Sequence, residues 1–223
     1  MPVATLREDL RRIGQVAEIG QLALLGGEPL LCPDIDEMIA MSLSMNVAQR
    51  FSIITNGQLL HRMSDNFWRV MTTHRIDVDV YPGKLGTAQI VAMQKKAREN
   101  HVDLRLFPIA TFSKSLRSGK DETPQHLQER FDRCPTGHLC TCVDYGYVYR
   151  CQQAFLIPPL LLPCEAPTVD GISLEGITAE KLKAYLECKW PLKSCARCSV
   201  NEQFIKWHET TRERWMEEST YAP

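Results

Sequence analysis

The sequence predicts an α/β fold with a parallel sheet in its first half, followed by a smaller cysteine-rich segment. Helical and strand patterns alternate up to residue 113 at spacings of roughly 25 to 30 residues, the rhythm of parallel strands joined by crossover helices. Only Cys32 lies in the first 133 residues, whereas the other eight cysteines crowd the last 90. The stretch "LALLGGEPLL" ends an apolar run in two glycines, a glutamate and a proline, which places a backbone-rich tip at the end of a strand.

Each element has its own signal. "TLREDLRRIGQVAEIG" places Leu6, Leu10, Ile13 and Ala17 on one helical stripe, and Thr5 with Glu8 three residues on reads as a capping box. "QLALL" is a short buried strand, and "DIDEMIAMSLSMN" a helix entered through Pro33 and Asp34. "RFSIITNG" is a strand closed by the turn pair Asn56-Gly57. "SDNFWRVMTTH" is helical, and "IDVDVYPG" is a strand stopped by Pro82-Gly83. "TAQIVAMQKKAREN" is a helix with Ile90, Met93 and Ala97 in register, and "VDLRLFPIATF" a further strand. A barrel and an open doubly wound sheet both satisfy this order.

After Phe112 the rhythm changes. "SKSLRSGKDETPQHLQER" predicts a linker and short helix over 114–130, leaving 131–223 as the cysteine-rich module. That module has too few periodic apolar stretches for a core of its own, so a bound metal would supply the missing stabilisation. "NEQFIKWHETTRERWMEES" predicts a charged amphipathic helix that docks through Phe204, Trp207 and Trp215.

Composition narrows the function classes. Hydrophobic residues at 44% and charged residues at 24% favour a packed core over disorder. A net charge of -1 gives no electrostatic case for nucleic acid or an anionic membrane surface. The longest apolar candidate, "FLIPPLLLP", is too short to span a bilayer and is broken by Pro158, Pro159 and Pro163. "MPVATLREDLRR" lacks the order of a secretory signal, so a cytoplasmic location is expected. In that compartment clustered cysteines favour metal or redox chemistry over disulfides. Cys32, Cys164 and Cys188 read as buried small hydrophobes. His101, His138 and His208 have no ligand-like spacing and read as surface or hydrogen-bonding residues.

Ligands of parallel α/β sheets sit at the carboxyl ends of the strands. Gly26 and Gly27 at such an end allow positive φ and close approach of a ligand to the backbone. Glu28 beside them is placed to bind a cation such as an amino group; a tight turn with a solvated glutamate fits the same residues. In "CPTGHLCTCVDYGYVYRC", Gly146 fits a hairpin turn, with Tyr147, Val148 and Tyr149 as the returning strand. "SCARC" adds Cys195 and Cys198 as a CxxC pair. Thiolates at a hairpin and a distant CxxC can converge on one four-coordinate site, holding iron-sulfur or zinc.

"LLGGEPLL" after one strand, with "ITNG" ending the next, resembles the radical S-adenosylmethionine (radical SAM) superfamily. The resemblance implies an incomplete (β/α)6 partial barrel over 1–113. It implies that Gly26, Gly27 and Glu28 hold the amino group of SAM, with Asn56 lining the same mouth and Asp79 and Tyr81 near it. It also implies a CxxxCxxC motif upstream, carrying the cluster that reduces SAM to a 5′-deoxyadenosyl radical. No cysteine precedes Gly26, so the expectation is an N-terminally shortened protein that binds SAM weakly and does not cleave it alone.

The cysteine pattern resembles the auxiliary-cluster module of the same superfamily, in the short twitch form rather than the longer SPASM form. That implies one auxiliary [4Fe-4S] cluster on Cys134, Cys151, Cys195 and Cys198, with Cys140 or Cys142 as alternatives for the fourth ligand. It further implies a peptide or small, sugar-like substrate and an electron-donor protein. Two other classes compete. One is a non-catalytic degenerate barrel, a scaffold around a zinc or iron-sulfur site. The other is a thiol-redox protein using Cys195 and Cys198, disfavoured because that CxxC does not open a helix after a strand.

Overall fold

The computed structural model describes residues 1–117, 123–162, 164–199 and 204–221. Part of the expected linker (118–122), Pro163 and the start of the expected C-terminal helix (200–203) lie outside the described residues, as does the His138 side chain. The protein is mixed α/β and divides into two compact units, one spanning Pro2–Ala110 and the other beginning at Thr111. Among the described residues no helix is long and apolar enough to cross a membrane.

In the first unit α1 (Val3–Gly14), β1 (Leu22–Leu24), α2 (Ile35–Ser44) and β2 (Phe51–Thr55) are followed by α3 (Asp65–Val70), β3 (Arg75–Val80), α4 (Thr87–Glu99) and β4 (Asp103–Pro108). The four strands are parallel and stand in sequence order, β1-β2-β3-β4. That order lacks the reversal of a doubly wound sheet, one of the two arrangements the pattern allowed. Alternation along the strands then divides the sheet faces. Ile53, Ile76 and Val78 pack into one cluster with Ile39 of α2, Phe67 and Trp68 of α3, and Met93 and Ala97 of α4. Leu6 and Leu10 of α1 close a second cluster with Met38 and Met41, against Leu22 and Leu24.

The alternate residues of β3 and β4 are charged. Arg75 pairs with the buried Asp77 at 2.7 Å, and Arg105 with Asp103 at 2.8 Å. One sheet face is therefore the core, and the other is polar.

Several local expectations need correction. Helix α1 starts two residues before Thr5, after Pro2, and has no side-chain cap. Inside the helix, Glu8 instead bonds Arg11 at 2.8 Å and Arg12 at 2.6 Å, spacings at which side chains on one helical face meet. These guanidinium groups hold its carboxyl down at about 2. Ala17 lies beyond the helix end, and β1 is half-buried rather than buried. The strand expected from Val102 to Phe112 stops at Pro108, and Thr111–Ser113 belongs to the second unit.

The second unit is built from short pieces. In order these are β5 (Thr111–Ser113), β6 (Leu116–Arg117), α5 (Pro124–Asp132), α6 (Thr136–Leu139), β7 (Cys142–Asp144) and β8 (Tyr147–Tyr149). Then come α7 (Gln153–Leu156), α8 (Pro158–Leu161), β9 (Ile172–Ser173), α9 (Ala179–Leu186), a 3-10 turn (Lys193–Arg197), β10 (Phe204–Lys206), α10 (Arg212–Ser219) and β11 (Thr220–Tyr221). The expected hairpin is present: β7 and β8 are antiparallel around Tyr145 (φ 43°) and Gly146 (φ 83°). Positive φ at both central residues is what a tight hairpin turn with the twist of its strands requires.

The C-terminal stretch is not one helix. Ile205 pairs with Phe112 in the β10–β5 ladder, and α10 starts only after Thr211, whose hydroxyl accepts from the Arg214 N–H at 3.3 Å. Phe204 and Trp215 are 61% and 40% exposed, so the docking expected of them does not occur; Trp207 is half-buried.

Candidate functional site

The glycine-glutamate tip sits where β1 and β2 end. Gly26 and Gly27 have φ of 111° and 50°, and a Cβ built on either meets no heavy atom within 4 Å. The backbone is thus open to a ligand, and left-handed for a reason only glycine accommodates. Glu28 caps the 3-10 turn that follows, accepting the Leu30 N–H at 3.1 Å. Its carboxylate also reaches the end of β2, accepting the Thr55 hydroxyl at 2.6 Å and the Asn56 N–H at 2.8 Å. The Asn56 side chain turns back to accept the Gln58 N–H at 2.9 Å, and Gly57 takes φ 75°.

Charge at this end is negative. Burial pushes the Asp79 carboxyl up, and Asp77 adds to it. Burial likewise raises Tyr81, with the fields of Asp79 and Glu28 adding to it. A carboxylate offers about four acceptor positions, and three protein donors already occupy Glu28. Roughly one position remains for a cationic group. Thr55 is the residue that sequence reasoning passed over; its signal was its place between the strand "FSII" and Asn56-Gly57.

The cysteines of the second unit are drawn toward one another. Cys151 is buried at the end of the hairpin and packs with Tyr149, Ala154 and Cys142. Burial raises the Cys151 thiol, outweighing the lowering effect of the Ala154 and Gln153 backbone N–H groups, with Cys134 and Asp170 adding to the rise. Burial pushes Cys142 up to about 11, with Cys151 and Cys140 contributing. It pushes Cys195 up to about 12, with Cys198 and Cys151 contributing. The 3-10 turn that carries Cys195 packs against α7, which starts two residues after Cys151, and against α5, which ends two residues before Cys134. Cys134 is held beside Thr136, with sulfur and hydroxyl 3.2 Å apart.

No protein-family model matches the chain, and no curated protein matches it.

Two segments frame the thiols. Cys198 bridges to Leu116, and the fully buried Ser199 anchors it by donating to the Lys114 carbonyl at 2.8 Å. Arg130 donates to the Cys195 carbonyl. Among the described residues no two cysteines form a disulfide. Among the described residues no group of three or more His, Cys, Asp or Glu side chains is arranged to hold a metal. The donor set nevertheless fits a thiophilic metal: soft sulfurs, two of them packed together at the hairpin, and burial that penalises bare thiolates.

The remaining cysteines divide. Cys32 is half-buried against Met38, 4.0 Å between sulfurs, and Cys188 is half-buried, so both are less enclosed than the buried small hydrophobes expected. Cys164 is exposed, which corrects the reading of it as buried. His101 is exposed with φ 54°, and the exposed His208 ring contacts the Lys206 carbonyl at 3.1 Å.

Proposed function

We propose that the chain is part of a radical SAM-type protein, with SAM at the glycine-glutamate tip and an auxiliary [4Fe-4S] cluster in the second unit. The sheet of the first unit is then read as a portion of the incomplete (β/α)6 partial barrel. Its sequential strand order and one-sided helices support that reading. Gly26, Gly27 and Glu28, with Asn56, would hold SAM, and Cys134, Cys151, Cys195 and Cys198 the cluster, Cys140 and Cys142 being alternatives for the fourth ligand. The observation that carries the proposal is the packing of Cys142 against the buried Cys151, with the 3-10 turn that carries Cys195 set against α7 and α5 beside them.

When bound, the two groups supply one-electron chemistry, which in this superfamily is directed at peptides or small, sugar-like substrates. The chain's own residues bind and orient. Glu28 fixes the β1 loop to the end of β2, and the open glycines admit a ligand to the backbone. The 223 residues hold no CxxxCxxC, so no SAM-cleaving step is assigned to them. An electron-donor protein would serve the auxiliary cluster.

A second reading, a non-catalytic scaffold around structural zinc, gains from one observation: Glu28 is already held by three protein donors, as a purely structural tie would be. Calorimetric titration with SAM, and the visible chromophore of anaerobically purified protein, separate the two. The proposal expects measurable SAM binding and a brown protein that bleaches in the Cys195→Ala/Cys198→Ala variant. A chromophore that survives both substitutions removes the cluster assignment.

A further inference from the structure

We propose that Asp170 is a positioning residue that sets the CxxC turn and the Cys151 segment in one frame; this rests on the thiol-site reading above. Asp170 is 5% exposed, and both oxygens of its carboxylate accept hydrogen bonds at the start of the 3-10 turn that carries Cys195. One oxygen accepts the Lys193 N–H at 2.8 Å. The other accepts the Ser194 N–H at 2.7 Å and also the Ser194 hydroxyl. Ser194 is itself 2% exposed, so its hydroxyl bond to Asp170 is shielded from water. These are the donors that a short helix leaves unpaired at its start, and here one buried carboxylate satisfies them.

The backbone of the same residue reaches the second segment. The Asp170 carbonyl accepts the Tyr185 hydroxyl at 2.6 Å, and that hydroxyl oxygen accepts the Arg150 N–H at 3.2 Å, one residue before Cys151. The buried Arg150 guanidinium donates to the carbonyls of Cys188 and Trp190, the strip leading into the CxxC turn. It also lies over the Phe131 ring at 5.0 Å. Next in the chain, Gly171 lies against Tyr149, where a Cβ would come within 2.7 Å of the ring. Asp170 is thus bonded both toward Cys195 and toward Cys151. Outer partners of this kind fix the direction in which ligands present their sulfurs, and losing one weakens metal binding on the order of 10- to 100-fold.

The test titrates the full, metal-free chain with cobalt(II) alone and reads the thiolate-to-cobalt charge-transfer and ligand-field bands. Asp170→Asn keeps one acceptor but turns an amide N–H₂ toward a backbone donor. It is expected to keep the charge-transfer band, shift the ligand-field bands, and weaken cobalt binding on the order of 10- to 100-fold. Tyr185→Phe leaves the carboxylate in place and removes the hydroxyl that joins the Asp170 carbonyl to the Arg150 N–H. It is expected to shift the same bands with a smaller loss, and it carries the test if Asp170→Asn does not fold by circular dichroism. Folded Asp170→Asn with unchanged affinity and bands overturns the proposal, as does an unchanged Tyr185→Phe where only that variant folds. Failure of the thiol-site reading looks different: the wild-type chain then gives no charge-transfer band, or Cys195→Ala/Cys198→Ala binds cobalt as the wild type does.

Discussion

Replacing Glu28 with glutamine tests whether the tip is a structural tie as well as a binding group. The side chain keeps its length and one oxygen, which can still accept from Thr55 and Leu30. The second oxygen becomes an N–H₂ facing the Asn56 N–H, previously an acceptor at 2.8 Å. A hydrogen bond to a charged group contributes about 1.5–3 kcal/mol, and here its loss leaves two donors opposed. The expected cost is about 2 kcal/mol, a fall in the unfolding temperature of the first unit on the order of 10 °C. Urea unfolding followed by amide exchange of the full chain reads this, because exchange assigns the transition to residues 2–110. Faster exchange should centre on Leu30, Asn56 and Gly57. A change below about 0.5 kcal/mol, typical of a neutral surface substitution, would refute the view that Glu28 joins β1 to β2.

Other perturbations follow from the same geometry. Gly57→Ala puts a Cβ 2.6 Å from Val78 Cγ1 at φ 75°, so left-handed strain and overpacking together should cost about 3 kcal/mol by urea unfolding. Gly171→Ala drives a Cβ to 2.7 Å from the Tyr149 ring and should cost about 1–3 kcal/mol, with faster amide exchange across β8 and β9. The exposed Glu8 carboxyl is lowered from 4.5 to about 2, so its stabilisation of α1 is complete above the unfolded value. That contribution fades as pH falls from about 4.5 to about 2, and a carbon-detected titration should place its midpoint near 2 at low salt. A midpoint near 4.5 would mean that the Arg11 and Arg12 bonds do not persist in solution.

The four helix–strand alternations were legible because crossover connections impose both a spacing and a change of period. So was the hairpin, since Gly146 and the Tyr147–Tyr149 alternation leave few other conformations. The capping box at Thr5 was misread because Pro2 opens the helix earlier, and Glu8 then meets two arginines a turn ahead. The break after Pro108 left no glycine to mark it, so two strands read as one. "FIK" was absorbed into a helical pattern because Phe204, Trp207 and Trp215 mimic helical spacing, while the strand it pairs with, Thr111–Ser113, lies far back in the sequence. Asp170 was invisible for a related reason. An Asp-Gly pair in a loop reads as a turn, and its partners at Ser194 and Tyr185 are set by the fold rather than by spacing.

Metal analysis of the anaerobically purified chain, with iron, inorganic sulfide and zinc counted together, bears most directly on the central claim. One auxiliary [4Fe-4S] cluster predicts about four irons and about four sulfides per chain, lost together when Cys195 and Cys198 become alanine. About one zinc per chain, with neither iron nor sulfide, would contradict it and leave the structural scaffold as the better account.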